Sequence, residues 1–246
     1  MTVRLDVVLP ESKVEALRTT EPTWWFTRFE FANAASPEHP HAARLELANG
    51  WKREMILPWL ERLTPGARVL DVFCANGAFS FEAARLGARE IVGVDYDPPR
   101  LECARFISAL VAEALPVAPS FVAGDVYHLP GLVDAPFDVT MALGGLYHVA
   151  DPVLVLDNLR RVTRPGGHLL LQTSRIIRVP GSWARFITVR RVADRTAERG
   201  AGVWKLSVKA LETMIGFAGF ERVAILPVPR RRAKRVPWYG AVWRAI

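Results

Sequence analysis

The chain has 246 residues, 50% of them hydrophobic, and a formal net charge of +7, which suits one α/β domain with a sizeable core and some additions. No run approaches the roughly 18 apolar residues of a membrane span, the N-terminus MTVRLDVVLPESK lacks the long apolar stretch of a signal peptide, and two cysteines, Cys74 and Cys103, exclude a disulfide framework and a zinc pattern, so the expected location is the cytoplasm. Much of the positive excess lies in the C-terminal third, which fits an anionic substrate, a nucleic acid, or an Arg-rich solvated surface.

Residues 1–63 read as an N-terminal extension. A short helix is expected at Glu11–Arg18. Trp24, Trp25, Phe26, Phe29 and Phe31 form a dense aromatic cluster, followed by a loop with Pro37, His39, Pro40 and His41. Such clusters ordinarily pack; the sharper expectation is that the segment caps the active site and that Trp25 gives a flat substrate an apolar wall. The histidine pair fits a polar surface loop better than a metal site, and no metal is expected. Leu45–Leu63 has Leu47, Trp51, Met55 and Trp59 four apart and reads as a helix with Pro58 as its kink point. Lys52 and Arg53 can reach back over a cofactor mouth from there, or simply meet solvent.

Residues 64–246 read as the main domain. The stretch 69–95, VLDVFCANGAFSFEAARLGAREIVGVD, is a strand, a tight turn, a helix and a second strand. The apolar runs at Val69–Val72 and Ile91–Val94 are of the kind buried on both faces of a parallel sheet. Gly87 stands where a helix C-terminus favours glycine. The unit is a βαβ crossover with a turn at the end of its first strand and an acid, Asp95, at the end of its second. In open α/β sheets, ligands bind outside the carboxyl ends of the strands, and an acid there reaches a ribose. A dinucleotide pyrophosphate needs several glycines in the turn. Here only Gly77 remains, with Phe73 and Ala75 at the other small-residue positions, which disfavours a nicotinamide oxidoreductase. S-adenosyl-L-methionine (SAM) carries no phosphate and tolerates a bulkier turn.

Asp97 and Pro98 open the next helix, which runs to about Ala112. Tyr96 either lies against an adenine or is an ordinary edge aromatic. Ser120–Ala123 is the third strand, followed by Gly124, Asp125 and Val126; Asp125 can accept from an adenine amine while the Val126 amide meets a ring nitrogen. Three successive strands thus carry Asp71, Asp95 and Asp125 at their carboxyl ends, a joint pattern that suits one ligand with an ammonium, a ribose diol and an aminopurine. Phe137–Leu143 is the fourth strand, leading into the loop Gly144–Val149. A helix follows from Asp151-Pro152 to about Val162, then a turn at Arg164–Gly167 and a fifth strand at His168–Thr173. Residues 178–204 read as an irregular insertion over the substrate side. A helix at Ser207–Phe217 and an antiparallel strand pair at Arg222–Leu226 and Trp238–Trp243 close the chain, with the basic run Arg230–Arg235 between the strands.

These motifs, VLDVFCANG, IVGVD, GDVYHLP, FDVTMALGGLYHV and LRRVTRPGGHLLLQT, resemble the class I SAM-dependent methyltransferases over roughly residues 66–226. The LYH after strand four, Trp51-Lys52 and a late Arg before Trp238 resemble the tRNA wobble-uridine carboxymethyltransferase group. The resemblance implies a Rossmann-like, seven-stranded, mostly parallel sheet with helices on both faces and an antiparallel C-terminal strand pair. It implies SAM as cofactor, its methionine end lined by Asp71, Phe73, Ala75, Asn76 and Gly77, its ribose held by Asp95 beside Tyr96, its adenine by Asp125 and Val126, its sulfonium passed by Leu143 and Gly144. Lys52, Tyr147 and Arg235 fall near where the carboxymethyltransferase group faces its cofactor carboxylate or its substrate. The segment between Trp24 and Ala43 has Arg28 but no lysine, which argues for ordinary SAM over its carboxylated form.

Methyl transfer mainly needs a positioned nucleophile and excluded water. A base is needed only for an acceptor such as a hydroxyl; His148 is the candidate proton acceptor and Tyr147 a substrate contact. The main expectation is a small-molecule acceptor enclosed by the aromatic N-terminus and the 178–204 insertion. The alternatives are a tRNA-modifying enzyme using the Arg230–Arg235 run on phosphates and a non-catalytic methyltransferase-like binding module.

Overall fold

The computed structural model describes residues 2–21, 25–189, 201–227 and 238–246. In chain order the strands and helices of the first half are β1 (Thr2–Arg4), α1 (Glu11–Arg18), β2 (Arg28–Glu30), α2 (Ala42–Leu63), β3 (Arg68–Val72), α3 (Ala78–Arg85), β4 (Glu90–Asp95), α4 (Pro98–Val111) and β5 (Ser120–Ala123). The second half holds α5 (Leu129–Leu132), β6 (Phe137–Leu143), α6 (Pro152–Val162), β7 (Thr163–Thr173), β8 (Ile176–Ile177), β9 (Ala184–Val189), β10 (Ala201–Ser207), α7 (Val208–Phe217), β11 (Phe220–Ile225) and β12 (Tyr239–Ala245). Seven strands form one sheet in the order β11-β12-β7-β6-β3-β4-β5, with β3, β4 and β5 mutually parallel and β12 antiparallel to both neighbours. This is the Rossmann-like architecture with an antiparallel C-terminal pair. The chain divides into two compact units, 1–125 with 137–139, and 126–136 with 140–246.

In the first unit, Val69, Leu70 and Val72 are almost wholly buried, as a two-sided strand requires. The helix α3 closes as its sequence predicts: the Ala88 N–H donates to the Ala83 carbonyl and the Gly87 N–H to the Ala84 carbonyl. Helix α4 turns Leu101, Ala104, Ile107 and Val111 inward at helical spacing. The N-terminal extension is bound into that same core. Val3, Leu5, Val14, Leu17, Trp25 and Phe29 pack with Phe81 of α3 and with Leu101 and Ile107 of α4. Trp25 meets Phe29 edge-on at 6.1 Å, and Phe29 meets Phe81 at 5.3 Å. Full burial of each such ring contributes roughly 1.5–3 kcal/mol. Trp25 is 1% exposed and its indole N–H donates to the Thr20 hydroxyl. The expected substrate wall is therefore a packing residue, because its ring has no free face left for a ligand.

Helix α2 starts at Ala42, earlier than its apolar spacing suggests, and runs through Pro58 to Leu63. Arg53 on it donates to Glu82 of α3 at 2.5 Å, and Arg85 donates to the same buried carboxylate at 2.9 Å. Arg53 thus ties α2 to α3 and is not merely solvated.

In the second unit, Asp151 caps α6, accepting from the Val153 and Leu154 amides at 3.0 Å each. Ser207 caps α7 by accepting from Ala210. The segment expected to be irregular contains two strands. β9 pairs antiparallel with β10, and β10 pairs parallel with the short β8, making a separate three-stranded sheet. Alternation along β9 is real but modest, with Phe186 facing Trp204 and Arg185 facing Lys205 across the pair; a pairing this dependent on the partner strand carries little local signal. The part of the insertion from 190 to 200 and the Arg230–Arg235 run lie outside the described residues.

Candidate active site

The first unit presents the ends of three adjacent parallel strands. Asp71 pairs in register with Gly93, and Asp95 with Ala123. The Gly124 N–H donates to the Asp95 carbonyl at 3.0 Å, which brings the residue before Asp125 directly against the end of β4. Between β3 and α3 the turn 73–77 is held by Phe73 and Cys74 amides on the Val94 carbonyl and by the Gly77 amide on the Cys74 carbonyl. Phe73, Ala75 and Gly77 all have positive φ, at 63°, 51° and 79°. Phe73 and Ala75 thus hold a backbone conformation that favours glycine, at a cost of roughly 1–2 kcal/mol per residue. One bond offsets part of it: the Ala75 amide donates to Asp95 Oδ2 at 2.8 Å. Gly77 is retained where nothing larger fits. A Cβ there would lie 2.6 Å from the Phe121 ring, and one on Gly93 would lie 2.5 Å from the same ring. Phe121 therefore packs beneath the turn, so the missing side chain at Gly77 serves that ring contact.

The electrostatics of this ledge are one-sided. Asp71 is buried, with Oδ2 accepting from the Ser80 hydroxyl at 2.7 Å. Desolvation pushes its pKa up to about 7, the Ser80 bond opposes this, and the charge of Asp95 adds to it. Asp95 is also buried; its Oδ1 accepts from the Asp97 amide at 3.0 Å. Among the described residues no lysine or arginine pairs with either carboxylate. A ligand bearing an ammonium and a ribose diol fits this donor set: the ammonium relieves the two negative charges, and each Asp95 oxygen has an accepting position left after its one amide bond. Asp125 is exposed beside Gly124, and Tyr96 is 68% exposed. Asn76 is 1% exposed, and its carboxamide hydrogen-bonds to no nitrogen or oxygen; it faces the Cys103 thiol. Burial, reinforced by Asp71 and Asp95, holds the Cys74 thiol protonated, which removes it as a nucleophile. Among the described residues no group of three His, Cys, Asp or Glu could hold a metal. Lys52, half-buried on α2, has its pKa lowered to about 8 by desolvation.

In the second unit, Leu143 is buried at the end of β6 and Gly144 follows at positive φ. Tyr147 and His148 lie in a 3-10 turn, their ring centroids 4.0 Å apart, Tyr147 half-buried and His148 exposed. Two residues that the sequence did not single out fix this loop. The Tyr127 hydroxyl accepts from the Ala150 and Asp151 amides at 2.5 and 3.1 Å, and Asn158 of α6 donates to the Val126 and Tyr127 carbonyls. An aromatic two residues after Asp125 was the available signal. Strand β10 packs against residues 146–148, and the Trp204 indole donates to the Ala150 carbonyl at 3.2 Å.

Residues 63–206 match the family model described as a methyltransferase domain. The chain belongs to that family. It is a class I SAM-dependent methyltransferase. The methyltransferase is 32% identical over 182 residues to a tRNA U34 carboxymethyltransferase of Idiomarina loihiensis, covering 74% of this chain and 53% of that protein. It is 32% identical over 229 residues to the tRNA U34 carboxymethyltransferase of Hahella chejuensis, covering 90% and 63%. The chain thus spans roughly half to three fifths of the length of these relatives. Among solved structures it resembles a Burkholderia thailandensis 1,6-didemethyltoxoflavin-N1-methyltransferase with bound S-adenosylhomocysteine, at TM-score 0.57 and 21% identity over 81% of this chain and 82% of the other. That likeness is one of fold. No described helix of the methyltransferase is long and apolar enough to cross a membrane.

Proposed function

We propose that the acceptor of this methyltransferase is a uridine of tRNA. The reading rests on the 32% identity to the two tRNA U34 carboxymethyltransferases, over 74% and 90% of the chain. The charge distribution supports it: residues 158–211 hold twelve Lys and Arg against two Asp and Glu, more than the net excess of the whole chain. A small-molecule acceptor was expected from the aromatic N-terminus and the 178–204 insertion. The first support weakens because Trp25 and Phe29 are core residues.

In this reading Asp71 faces the cofactor ammonium, Asp95 the ribose hydroxyls and Asp125 the adenine amine, with Tyr96 beside the ring. When bound, the sulfonium would supply an electrophilic carbon to a lone pair of the acceptor. His148, or water, would take the acceptor's proton. Tyr147 contacts the acceptor base. Lys52 is assigned to a carboxylate on the transferred group. The assignment is supported by the Trp51-Lys52 pair, which resembles the carboxymethyltransferase group, and by its place on α2, which supplies the lysine that the segment 24–43 lacks. In this reading the carboxylated cofactor is favoured. Arg235 remains a candidate for the same anion or for a phosphate.

The test is transfer from labelled SAM or carboxylated SAM to unmodified tRNA, followed by nucleoside analysis. The reading expects label in a uridine, with carboxylated SAM preferred and that preference lost in Lys52→Ala. Absence of label from tRNA with both cofactors, alongside methylation of a small phenol or amine, would overturn it.

A further inference from the structure

We propose that the β9–β10 hairpin is the element that holds single-stranded RNA beside the acceptor loop, with one face stacking bases and the other meeting phosphates. The inference rests on the tRNA reading and assigns a part of the chain to it. Phe186 and Trp204 are directly opposite across the pair, with ring centroids 5.1 Å apart. Trp204 is anchored by its indole N–H on the Ala150 carbonyl, two residues beyond His148. Phe186 remains 47% exposed, and Trp183, at the start of the hairpin, 62%. Each exposed ring offers a face on which a base can stack.

Trp183 is held in place while exposed. Its backbone amide donates to the Ser207 hydroxyl at 2.9 Å and its indole N–H to the Pro180 carbonyl at 2.9 Å. A ring already fixed loses little entropy when a base stacks on it. The Tyr147 and His148 rings, in contact with each other, lie in the turn against which β10 packs. Two aromatic pairs therefore sit on neighbouring segments of one unit.

The opposite face of the hairpin carries Arg185 directly across from Lys205. Like charges in opposed positions destabilise a strand pair. No carboxylate of the described residues pairs with either cation. Arg175 and Arg178, both exposed, precede the hairpin. A cation pair with no carboxylate partner among the described residues, on a narrow ribbon whose other face carries an aromatic pair, suits a chain with alternating phosphates and bases. Single-stranded loops have unstacked bases available for this, whereas a duplex does not.

The test uses the full chain, a fluorescent stem-loop RNA with a uridine in its loop, and a fully paired RNA of the same length, with affinity read by anisotropy across a salt series. Phe186→Ala should weaken stem-loop binding by about 5- to 100-fold. Its salt dependence and duplex binding should not change, and Phe186→Trp should restore the affinity. Arg185→Ala with Lys205→Ala should lower the log–log salt slope by about 1.4. SAM affinity, measured on each variant, should match the parent and so report an intact fold. If the parent chain binds the stem-loop but neither set of variants differs from it, the hairpin assignment is overturned and the tRNA reading stands. If the parent binds no RNA at low salt, both fall.

Discussion

Binding of SAM should expel a proton from Asp71. The carboxyl is buried, accepts one hydrogen bond from Ser80 and has its pKa raised from 3.8 to about 7, chiefly by desolvation. Near pH 7 the free protein therefore holds it about half protonated. An ammonium in contact lowers a carboxylate pKa by about 1–3, so the bound state is almost fully ionised and about half a proton leaves per cofactor. The assay is isothermal titration of SAM at pH 7 in two buffers of different ionisation enthalpy; the slope of observed heat against buffer enthalpy counts protons. The same group sets a stability trend in the cofactor-free protein. Its pKa is raised on folding, so its contribution is full below pH 3.8, where both states are protonated, and is lost as pH rises through about 7. The loss is roughly 4 kcal/mol at most, taking about 1.4 kcal/mol for each pH unit between the two values. Asp71→Asn should abolish both the proton release and this component of the pH dependence. Heats that do not depend on buffer, or a dependence that persists in Asp71→Asn, would refute the assignment of the cofactor's cation to this carboxyl.

Two stability predictions concern the turn 73–77 and the ring packed beneath it. Gly93→Ala places a methyl 2.5 Å from the Phe121 ring and 3.0 Å from Cys74 Sγ, and should cost about 1–3 kcal/mol in urea unfolding; adding Phe121→Leu should recover part of it, and unchanged stability in Gly93→Ala would contradict the packing. Ala75→Gly relaxes a residue at φ 51° and should stabilise the chain by up to about 1 kcal/mol in the same assay, the roughly 1–2 kcal/mol of strain relieved less the roughly 0.4–1 kcal/mol that glycine's freer unfolded chain costs, whereas a clear loss of stability would show that Ala75 is not strained there.

The sheet was legible because its signals are local. The apolar runs of β3 and β4 are buried on both faces, and Asp151 and Ser207 cap the helices they precede. The acids at the strand ends followed from the same positions. What failed to show locally was direction and partnership. The density of aromatics at 24–31 did not reveal that Trp25 and Phe29 turn toward Phe81 and away from ligand. The 178–204 segment hid two strands because each finds its register only in the other. Tyr127 reaches Ala150 and Asp151 across more than twenty residues, a contact no spacing rule marks. The turn was legible in its residues but not in its conformation: Phe73 and Ala75 take positive φ, held by bonds to Val94 and Asp95.

The central claim is that the carboxylates of Asp71, Asp95 and Asp125 form one binding ledge for the adenosyl cofactor. Calorimetric titration of the purified chain with SAM and with S-adenosylhomocysteine tests it most directly, beside Asp95→Ala checked for an intact unfolding transition. Saturable one-to-one binding, weakened about 10- to 100-fold by Asp95→Ala through loss of the hydrogen bonds to the ribose, is the predicted result. Equal affinity in the two proteins, or no heat with either compound, would contradict it.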